Sequence, residues 1–182
     1  LRNSSAASDV YKRQVYEEEN IIALKKNLQS ITLEPGGQIE LSGEPLKDLH
    51  STCKETNEHL RLVKEVGKKL DVLLVGLGVR PNERLEEVPL MPKARYKIMR
   101  NYMPKRGARG LEMMHSTCTV QANLDYKSEQ DMIDKTRLAV KIQPVVTALF
   151  ANSPFYEGVS NGYESLRSCL LYTSDAADEL RS

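Results

Sequence analysis

Two carboxylates and a carboxamide share one face of a strand-like stretch at residues 31–43, ITLEPGGQIELSG. Glu34, Gln38 and Glu40 lie at even positions, and isoleucine and leucine alternate with them at odd ones. The Pro-Gly-Gly at 35–37 interrupts the pattern as a bulge or tight turn does. Strands are depleted in carboxylates, whose oxygens are the ligands that Mg²⁺ prefers. The stretch therefore predicts a site for Mg²⁺ together with a nucleotide phosphate.

A second stretch with alternating polarity, STCTVQANLDY, spans residues 116–126. Gln121 and Asn123 lie on its polar face with threonine and aspartate, and its other face is apolar. Half-exposed antiparallel strands show this pattern routinely, but their solvent faces are usually richer in Lys and Glu. The alternative is a strand that lines a polar cavity. In that case Gln121 and Asn123 are expected to project from the same sheet face as Glu34, Gln38 and Glu40.

A third stretch, residues 91–110, contains two tyrosines and no acidic residue. Its seven basic residues are Lys93, Arg95, Lys97, Arg100, Lys105, Arg106 and Arg109. Three interpretations compete: a solvated basic face, a nucleic-acid patch with stacking tyrosines, and an anchor for anionic substrates, to which arginine offers a bidentate fork.

The elements that must position these groups follow from periodicity and capping signals. Short strands are predicted at 20–26 and 30–34, leading into a strand at ELSG (40–43), with further strands at 71–79 and 116–126. Helices are predicted at 46–70 and 93–102 and, N-capped by Ser128, from 129 to about 152. Strands and helices alternate irregularly, which predicts an α+β fold.

The whole-chain composition indicates a globular protein without a strong electrostatic preference. The 182 residues include 26 Lys+Arg and 25 Asp+Glu, so the overall charge selects neither nucleic acid nor membrane. No apolar run reaches the ~18 residues that a spanning helix needs, and no signal peptide is evident. The cysteines have neither a disulfide framework nor metal-ligand spacing.

The two ends of the chain have a different origin from the rest. SSAASDVYKRQ (4–14) and CLLYTSDAADE (169–179) are translations of one DNA string, read in its two directions, that resembles a transposase adapter used for sequencing libraries. Residues 1–14 and 169–182 are therefore interpreted as adapter-derived tails and 15–168 as an internal fragment. The tails are expected to be disordered or poorly packed.

Six segments resemble, in order and spacing, the plant and proteobacterial type of glutamate–cysteine ligase: LEPGGQIELSG, LHSTC, MPKARYKIMRNYMP, TCTVQANLDY, QPVVTALFANSPF and NGYESLRS. The resemblance covers essentially all of 15–168. It implies a catalytic domain of the carboxylate–amine ligase type, with a glutamine-synthetase-like antiparallel sheet curved around the active site and helices outside. It also implies ATP-dependent joining of the glutamate γ-carboxylate to the amine of cysteine through an acyl phosphate, the first step of glutathione synthesis.

The resemblance also implies a role for each candidate residue. Glu34 and Glu40 would bind Mg²⁺, with Gln38 and Glu40 towards the nucleotide, and Gln121 and Asn123 would face substrate. Arg95 would bind the carboxylate of cysteine, and Arg167 would anchor glutamate and the transferred phosphoryl group. The partners implied are small molecules, without nucleic acid or membrane, in the cytoplasm or, for a plant or algal parent, the chloroplast. The fragment alone is expected to be inactive. A sister ligase that joins glutamate to another amine, and a nucleic-acid-binding module built on 91–110, remain the alternatives.

Overall fold

A computed structural model of the chain describes residues 13–174. These residues divide into two compact units, one formed by 13–75 and 89–101 and the other by 76–88 and 102–174. The described chain combines an antiparallel four-stranded sheet with five α-helices. The predicted α+β class with an antiparallel sheet is confirmed.

The first unit is built on a meander of four antiparallel strands in the order β1-β2-β3-β4. The strands are β1 (Arg13–Glu17), β2 (Asn20–Lys26), β3 (Gln29–Glu34) and β4 (Gln38–Ser42). The prediction of β2 is correct to the residue and that of β3 to within one residue, whereas β4 begins two residues before the predicted strand at 40–43 and ends one residue before its end. β1 was not predicted.

The β3–β4 connection places the polar candidates on one face. A 3₁₀ turn at Pro35–Gly37 joins the strands, and its two glycines have φ of 73° and 79°, a left-handed conformation that glycine adopts without steric cost. In the resulting register Glu34 pairs with Gln38 and Thr32 pairs with Glu40. Directly paired residues project to the same side of a sheet, so the predicted common face of Glu34, Gln38 and Glu40 is confirmed.

A long helix, α1 (Leu49–Leu70), covers the other face of this sheet. It begins three residues later than predicted because Asp48 N-caps it by accepting a hydrogen bond from the Ser51 backbone N–H at 2.8 Å. Leu62 of α1 packs with Leu24 and Ile31, and these three buried side chains form the core of the unit.

The short helix α2 (Ala94–Tyr102) carries Arg95 and confirms the helix predicted at 93–102. Its N-terminus is tied to the sheet, since the Glu17 carboxylate at the end of β1 accepts the Ala94 backbone N–H. A carboxylate is favoured there because the helix dipole places partial positive charge at that end.

The second unit contains α3 (Gly110–Ser116), α4 (Glu129–Leu149), a two-stranded hairpin of β5 (Phe155–Tyr156) and β6 (Val159–Ser160), and α5 (Leu166–Ser174). Ser128 N-caps α4 as predicted. Val79, Leu166 and Leu170 form the core of the unit. Within residues 13–174, no helix is long and apolar enough to cross a membrane.

The prediction of strands at 71–79 and 116–126 is wrong. Residues 110–116 form α3, and the only pairing of either stretch within the described chain is an isolated bridge between Val79 and Thr117. A strand needs a neighbour to accept and donate its backbone hydrogen bonds, and the described residues supply none beyond that bridge. Leu73 and Val120 are consequently 89% and 96% exposed.

The expectation of poorly packed ends is also wrong where the ends are described. Arg13 and Gln14 pair with Lys25 and Leu24 of β2, because strand pairing uses the backbone and accepts almost any side chain. Leu170 is fully buried, since it lies four residues after Leu166 on the same helix face. The remainder of both predicted tails lies outside the described residues.

Candidate active site

Glu34, at the end of β3, is the centre of a hydrogen-bonded cluster in the first unit. Its Oε1 atom accepts from the Thr32 hydroxyl at 2.9 Å and from Lys93 Nζ at 3.1 Å. Its Oε2 atom accepts from the Tyr96 hydroxyl at 2.6 Å and from Arg95 NH2 at 3.2 Å. A carboxylate has about four lone-pair sites, so these four donors occupy them all.

Tyr96 connects the members of this cluster. Its hydroxyl donates to Glu34 and accepts from Arg95 NH2 at 2.8 Å and from Lys93 Nζ at 3.2 Å. The Lys93 ammonium and the Arg95 guanidinium also lie 5.2 and 4.8 Å from the Tyr96 ring centroid, within cation–π range. Because the Tyr96 side chain is only 1% exposed, its packing fixes where the hydroxyl lies.

Arg95 extends from this buried base towards solvent. Its side chain is 62% exposed, against 7% for Lys93 and 18% for Glu34. Only NH2 of its guanidinium has hydrogen-bond partners within the described residues. Nε and NH1 remain available to a ligand. Both bidentate faces of a guanidinium include NH2, so a carboxylate that binds Arg95 with two parallel bonds must share NH2 with Glu34 or Tyr96.

The cluster holds its groups in defined charge states. Burial by itself raises the pKa of Glu34, but the hydrogen bonds from Tyr96, Thr32 and Lys93 outweigh burial, so the pKa lies below its ordinary value. Burial also raises the pKa of the Tyr96 phenol to about 12. The hydrogen bond from its guanidinium to the Tyr96 hydroxyl raises the pKa of Arg95. These four side chains therefore comprise two cations, one carboxylate and a neutral phenol at pH 7, a net charge of +1, and the Glu40 carboxylate adds a coulombic attraction to Arg95.

The candidate metal ligands differ in how well they suit Mg²⁺. Glu40 is exposed on β4, and the one hydrogen bond that its carboxylate accepts from the described part of the chain comes from the Ser42 hydroxyl, at 3.3 Å. It can therefore offer oxygens to a metal–nucleotide complex, with Gln38 two positions away on the same strand face. Glu34 does not fit in this arrangement, because its lone pairs are occupied and two cations adjoin it. In residues 13–174 no group of three or more His, Cys, Asp or Glu side chains could hold a metal ion.

Arg167, in α5 of the second unit, is a partly buried cation whose Nε–H donor is unused among the described residues. Its Nε atom is buried and has no hydrogen-bond partner among the described residues. Desolvation by burial lowers the pKa of this guanidinium. A buried donor without a partner is costly, and an anionic ligand would satisfy it.

Gln121 and Asn123 do not lie on the four-stranded sheet, which corrects the predicted common sheet face. They are in the second unit, in an exposed segment without strand pairing, where the Gln121 side-chain amide donates to Asn123 Oδ1 at 2.8 Å. Polar and apolar residues do alternate along this segment, but within the described residues the segment does not pair with the four-stranded sheet as predicted. The two residues are therefore adjacent to each other and absent from the Glu34 face.

The basic residues of 91–110 do not act as one uniform surface. Lys93 and Arg95 bind Glu34, and Arg109 binds Glu112 through both Nε and NH2, at 3.1 and 2.7 Å. Arg106 donates to the Tyr102 hydroxyl at 2.6 Å. Three of the seven cations are thus bound to carboxylates that lie outside the stretch.

Two members of the cluster, Lys93 and Tyr96, were not among the predicted site residues. Their spacing of three residues places them on one side of α2, and a buried lysine requires an acidic partner. That three-residue spacing was the feature of the sequence that could have identified Lys93 and Tyr96. The partner is 59 residues away in sequence, and no local pattern identifies it.

The first unit carries an arginine held beside a sheet face with carboxylates, and the second unit carries an arginine with a buried Nε atom that has no partner among the described residues, in a protein of the α+β class. The model of glutamate-cysteine ligase family 2 matches residues 6–178, and the chain belongs to this family. It is 57% identical over 162 residues to glutamate–cysteine ligase A, chloroplastic, of Oryza sativa subsp. japonica, covering 89% of this chain and 33% of the relative. Identity to the chloroplastic enzymes of Nicotiana tabacum and Arabidopsis thaliana is 56%, over 89% of this chain and 31% of each relative. The chain spans about a third of the length of these relatives.

Proposed function

We propose that this chain is part of an ATP-dependent ligase that joins the γ-carboxylate of glutamate to the amine of cysteine. In this reaction the γ-phosphoryl group of ATP passes to the carboxylate, and the cysteine amine then displaces inorganic phosphate. Membership of the glutamate–cysteine ligase family supports the reaction class. Both steps gather negative charge at one point, so positioning and electrostatic stabilisation dominate the catalysis.

The observation that carries the proposal is the surplus positive charge around Glu34. Lys93 and Arg95 share one carboxylate, and Arg95 presents Nε and NH1 outwards. An anion relieves that surplus, and the α-carboxylate of an amino acid is an anion of the right size for one guanidinium. Arg95 would bind cysteine in this way, which leaves its amine free to react.

Glu40 and Gln38 would hold the Mg²⁺–nucleotide at the exposed end of the same sheet face. The metal would supply charge neutralisation at the phosphoryl group when bound. Glu34 would join these ligands only by giving up contacts with Lys93 and Arg95.

Arg167 would bind the glutamate substrate and the transferred phosphoryl group through the nitrogen that has no partner in the described chain. Gln121 and Asn123 would add neutral donors and acceptors for substrate, because their side chains are exposed. Arg167, Gln121 and Asn123 all belong to the second unit.

The test requires the remainder of a ligase, so residues 15–168 replace the equivalent third of the rice enzyme. The chimera should convert ATP to ADP only when glutamate and cysteine are both present. Replacing Arg95→Lys should raise the cysteine KM at least ~10-fold, because charge-assisted hydrogen bonds contribute ~1.5–3 kcal/mol each. The KM for glutamate should change far less.

The matched control is Lys97→Ala, whose side chain is exposed and makes no hydrogen bond or ion pair within residues 13–174. This substitution should leave the KM values for ATP, glutamate and cysteine within ~2-fold of those of the unsubstituted chimera. A nucleic-acid module would instead be favoured by salt-sensitive RNA binding that weakens equally on substitution of Lys97, Arg100 or Arg95, because phosphate contacts are roughly additive. ATP turnover with a different amine and not with cysteine would identify a sister ligase.

A further inference from the structure

We propose that Tyr96 is a positioning residue that holds Arg95 and Glu34 in fixed relation, so that Arg95 is oriented for its substrate before that substrate binds. The inference rests on the proposed function for the identity of the ligand. Its structural part, that Glu34 and Arg95 are joined mainly through the Tyr96 hydroxyl, stands separately.

Distances decide which path between Glu34 and Arg95 is the stronger. The direct contacts from Arg95 NH2 to the Glu34 carboxylate are long, at 3.2 and 3.4 Å. The two bonds through the phenol, Arg95 to Tyr96 at 2.8 Å and Tyr96 to Glu34 at 2.6 Å, are within the range of charge-assisted hydrogen bonds. The hydroxyl therefore connects the cation and the carboxylate better than they connect to each other.

The hydrogen-bonding capacity of the phenol is filled in the orientation that this role requires. A hydroxyl has one proton and two lone pairs. The proton goes to Glu34, its closest acceptor, and the lone pairs receive Arg95 and Lys93. Lys93 thus serves as the second cation that directs the proton towards Glu34. No lone pair is left for a water molecule or substrate, which indicates positioning rather than proton transfer.

Burial determines what each partner contributes. The Tyr96 side chain is 1% exposed and cannot follow the motion of its partners, whereas the Arg95 side chain is 62% exposed. A long exposed arginine samples many rotamers, and a ligand that immobilises it loses affinity for that reason. A rigid hydrogen bond to NH2 removes part of this cost in advance, while Nε and NH1 stay free.

The chain contains a natural control for this arrangement at the end of the same helix. The Tyr102 hydroxyl accepts from Arg106 Nε at 2.6 Å, and the guanidinium carbon lies 5.3 Å from the Tyr102 ring centroid. Tyr102 is 50% exposed, against 1% for Tyr96, so this pair is a solvent-exposed counterpart of the Tyr96–Arg95 pair. Tyr96→Phe and Tyr102→Phe therefore remove the same hydroxyl from an arginine in two settings.

The first experiment is independent of activity and uses the 182-residue chain. A double-mutant cycle of Glu34→Gln and Arg95→Gln, followed by urea unfolding, gives the coupling between the two residues. We expect this coupling to fall by at least half in the Tyr96→Phe background and to be unchanged in the Tyr102→Phe background. Undiminished coupling in Tyr96→Phe would overturn the proposal.

The second experiment measures kinetics in the rice chimera. Tyr96→Phe should raise the cysteine KM about 5-fold, the effect of one hydrogen bond, with the KM for ATP and the KM for glutamate within ~2-fold of their original values. A joint shift of all three KM values would mean a structural role, and no shift would mean none; either overturns the proposal. If the chimera ligates no cysteine, the proposed function fails, and the unfolding cycle still decides the role of Tyr96.

Discussion

At the scale of single residues, the cluster around Glu34 exchanges hydration for a dense set of internal hydrogen bonds. Glu34 and Lys93 are largely buried, with 18% and 7% of their side chains exposed, and an unpaired charge there would be strongly destabilising. The cluster avoids this by giving the carboxylate four donors. Its stability therefore depends on Glu34 being ionised, which makes the cluster sensitive to acid.

The direction of this acid sensitivity follows from the lowered pKa of Glu34. Its ordinary pKa is 4.5 and the folded pKa lies below that value, so the unfolded chain binds the proton first as pH falls. The stabilisation from Glu34 is complete above about pH 4.5 and is lost as pH falls through the folded pKa. Urea unfolding of the 182-residue chain and of Glu34→Gln should show a stability difference that is constant from pH 7 to 5 and shrinks below 4.5.

Lys97→Ala provides the control, since it keeps the cluster intact and should follow the unsubstituted chain at every pH. A Glu34→Gln difference that stays constant down to pH 3, or grows as pH falls, would contradict the assigned charge state of Glu34.

At the scale of elements, the sequence was sufficient where a local signal decides the structure. Period-two alternation located β2, β3 and β4 and also the shared face of Glu34 and Glu40, because the pairing register of a hairpin follows from its turn. The capping residue Ser128 located the start of α4, whereas the cap at Asp48 was overlooked and the start of α1 was predicted three residues too early. These signals need no knowledge of what lies across the fold.

Local signals failed where tertiary partners decide. The alternation at 116–126 is real, but Val120 is 96% exposed because no strand within the described residues pairs with that stretch. In the site, the even-numbered position of Glu34 in the alternating pattern predicted the sheet face on which it lies. The same pattern could not reveal that Lys93, far along the chain, would occupy the lone pairs of its carboxylate. The same limit explains why Tyr96 was missed although Arg95 beside it was predicted.

Helix α5 shows the opposite case, in which residues set aside as foreign contribute to the core. Leu170 is completely buried against Val79 and Leu166. Leu170→Ala should therefore destabilise the chain by about 2–5 kcal/mol, the cost of truncating a buried leucine. Tyr172→Ala, on the same helix and 77% exposed, should change stability by less than ~0.5 kcal/mol. Equal small effects in thermal or urea unfolding would mean that the chain packs without residue 170.

At the scale of the whole molecule, the balance of charge and the exposure of apolar side chains both favour self-association of the chain. With 26 basic and 25 acidic residues, the chain has almost no net charge to keep copies apart. In the second unit Val120 and Leu124 are 96% and 74% exposed, at alternate positions of an extended segment that forms no strand pairing at 118–126 with the rest of the described chain. Such a segment is a template for strand pairing with another chain.

We therefore expect the 182-residue chain to self-associate as concentration rises, through the extended segment at 118–126. Sedimentation velocity over a range of concentrations should show a monomer that gives way to larger species. Replacing Val120→Lys and Leu124→Lys together should shift that transition to concentrations at least ~10-fold higher, because two apolar contacts are lost and like charges then face each other across the pairing.

The control pair Thr119→Lys and Gln130→Lys adds the same charge at exposed polar positions and should shift the association to higher concentration much less. Equal shifts from both pairs would mean that net charge alone controls association, and unchanged association in the first pair would assign it to another surface.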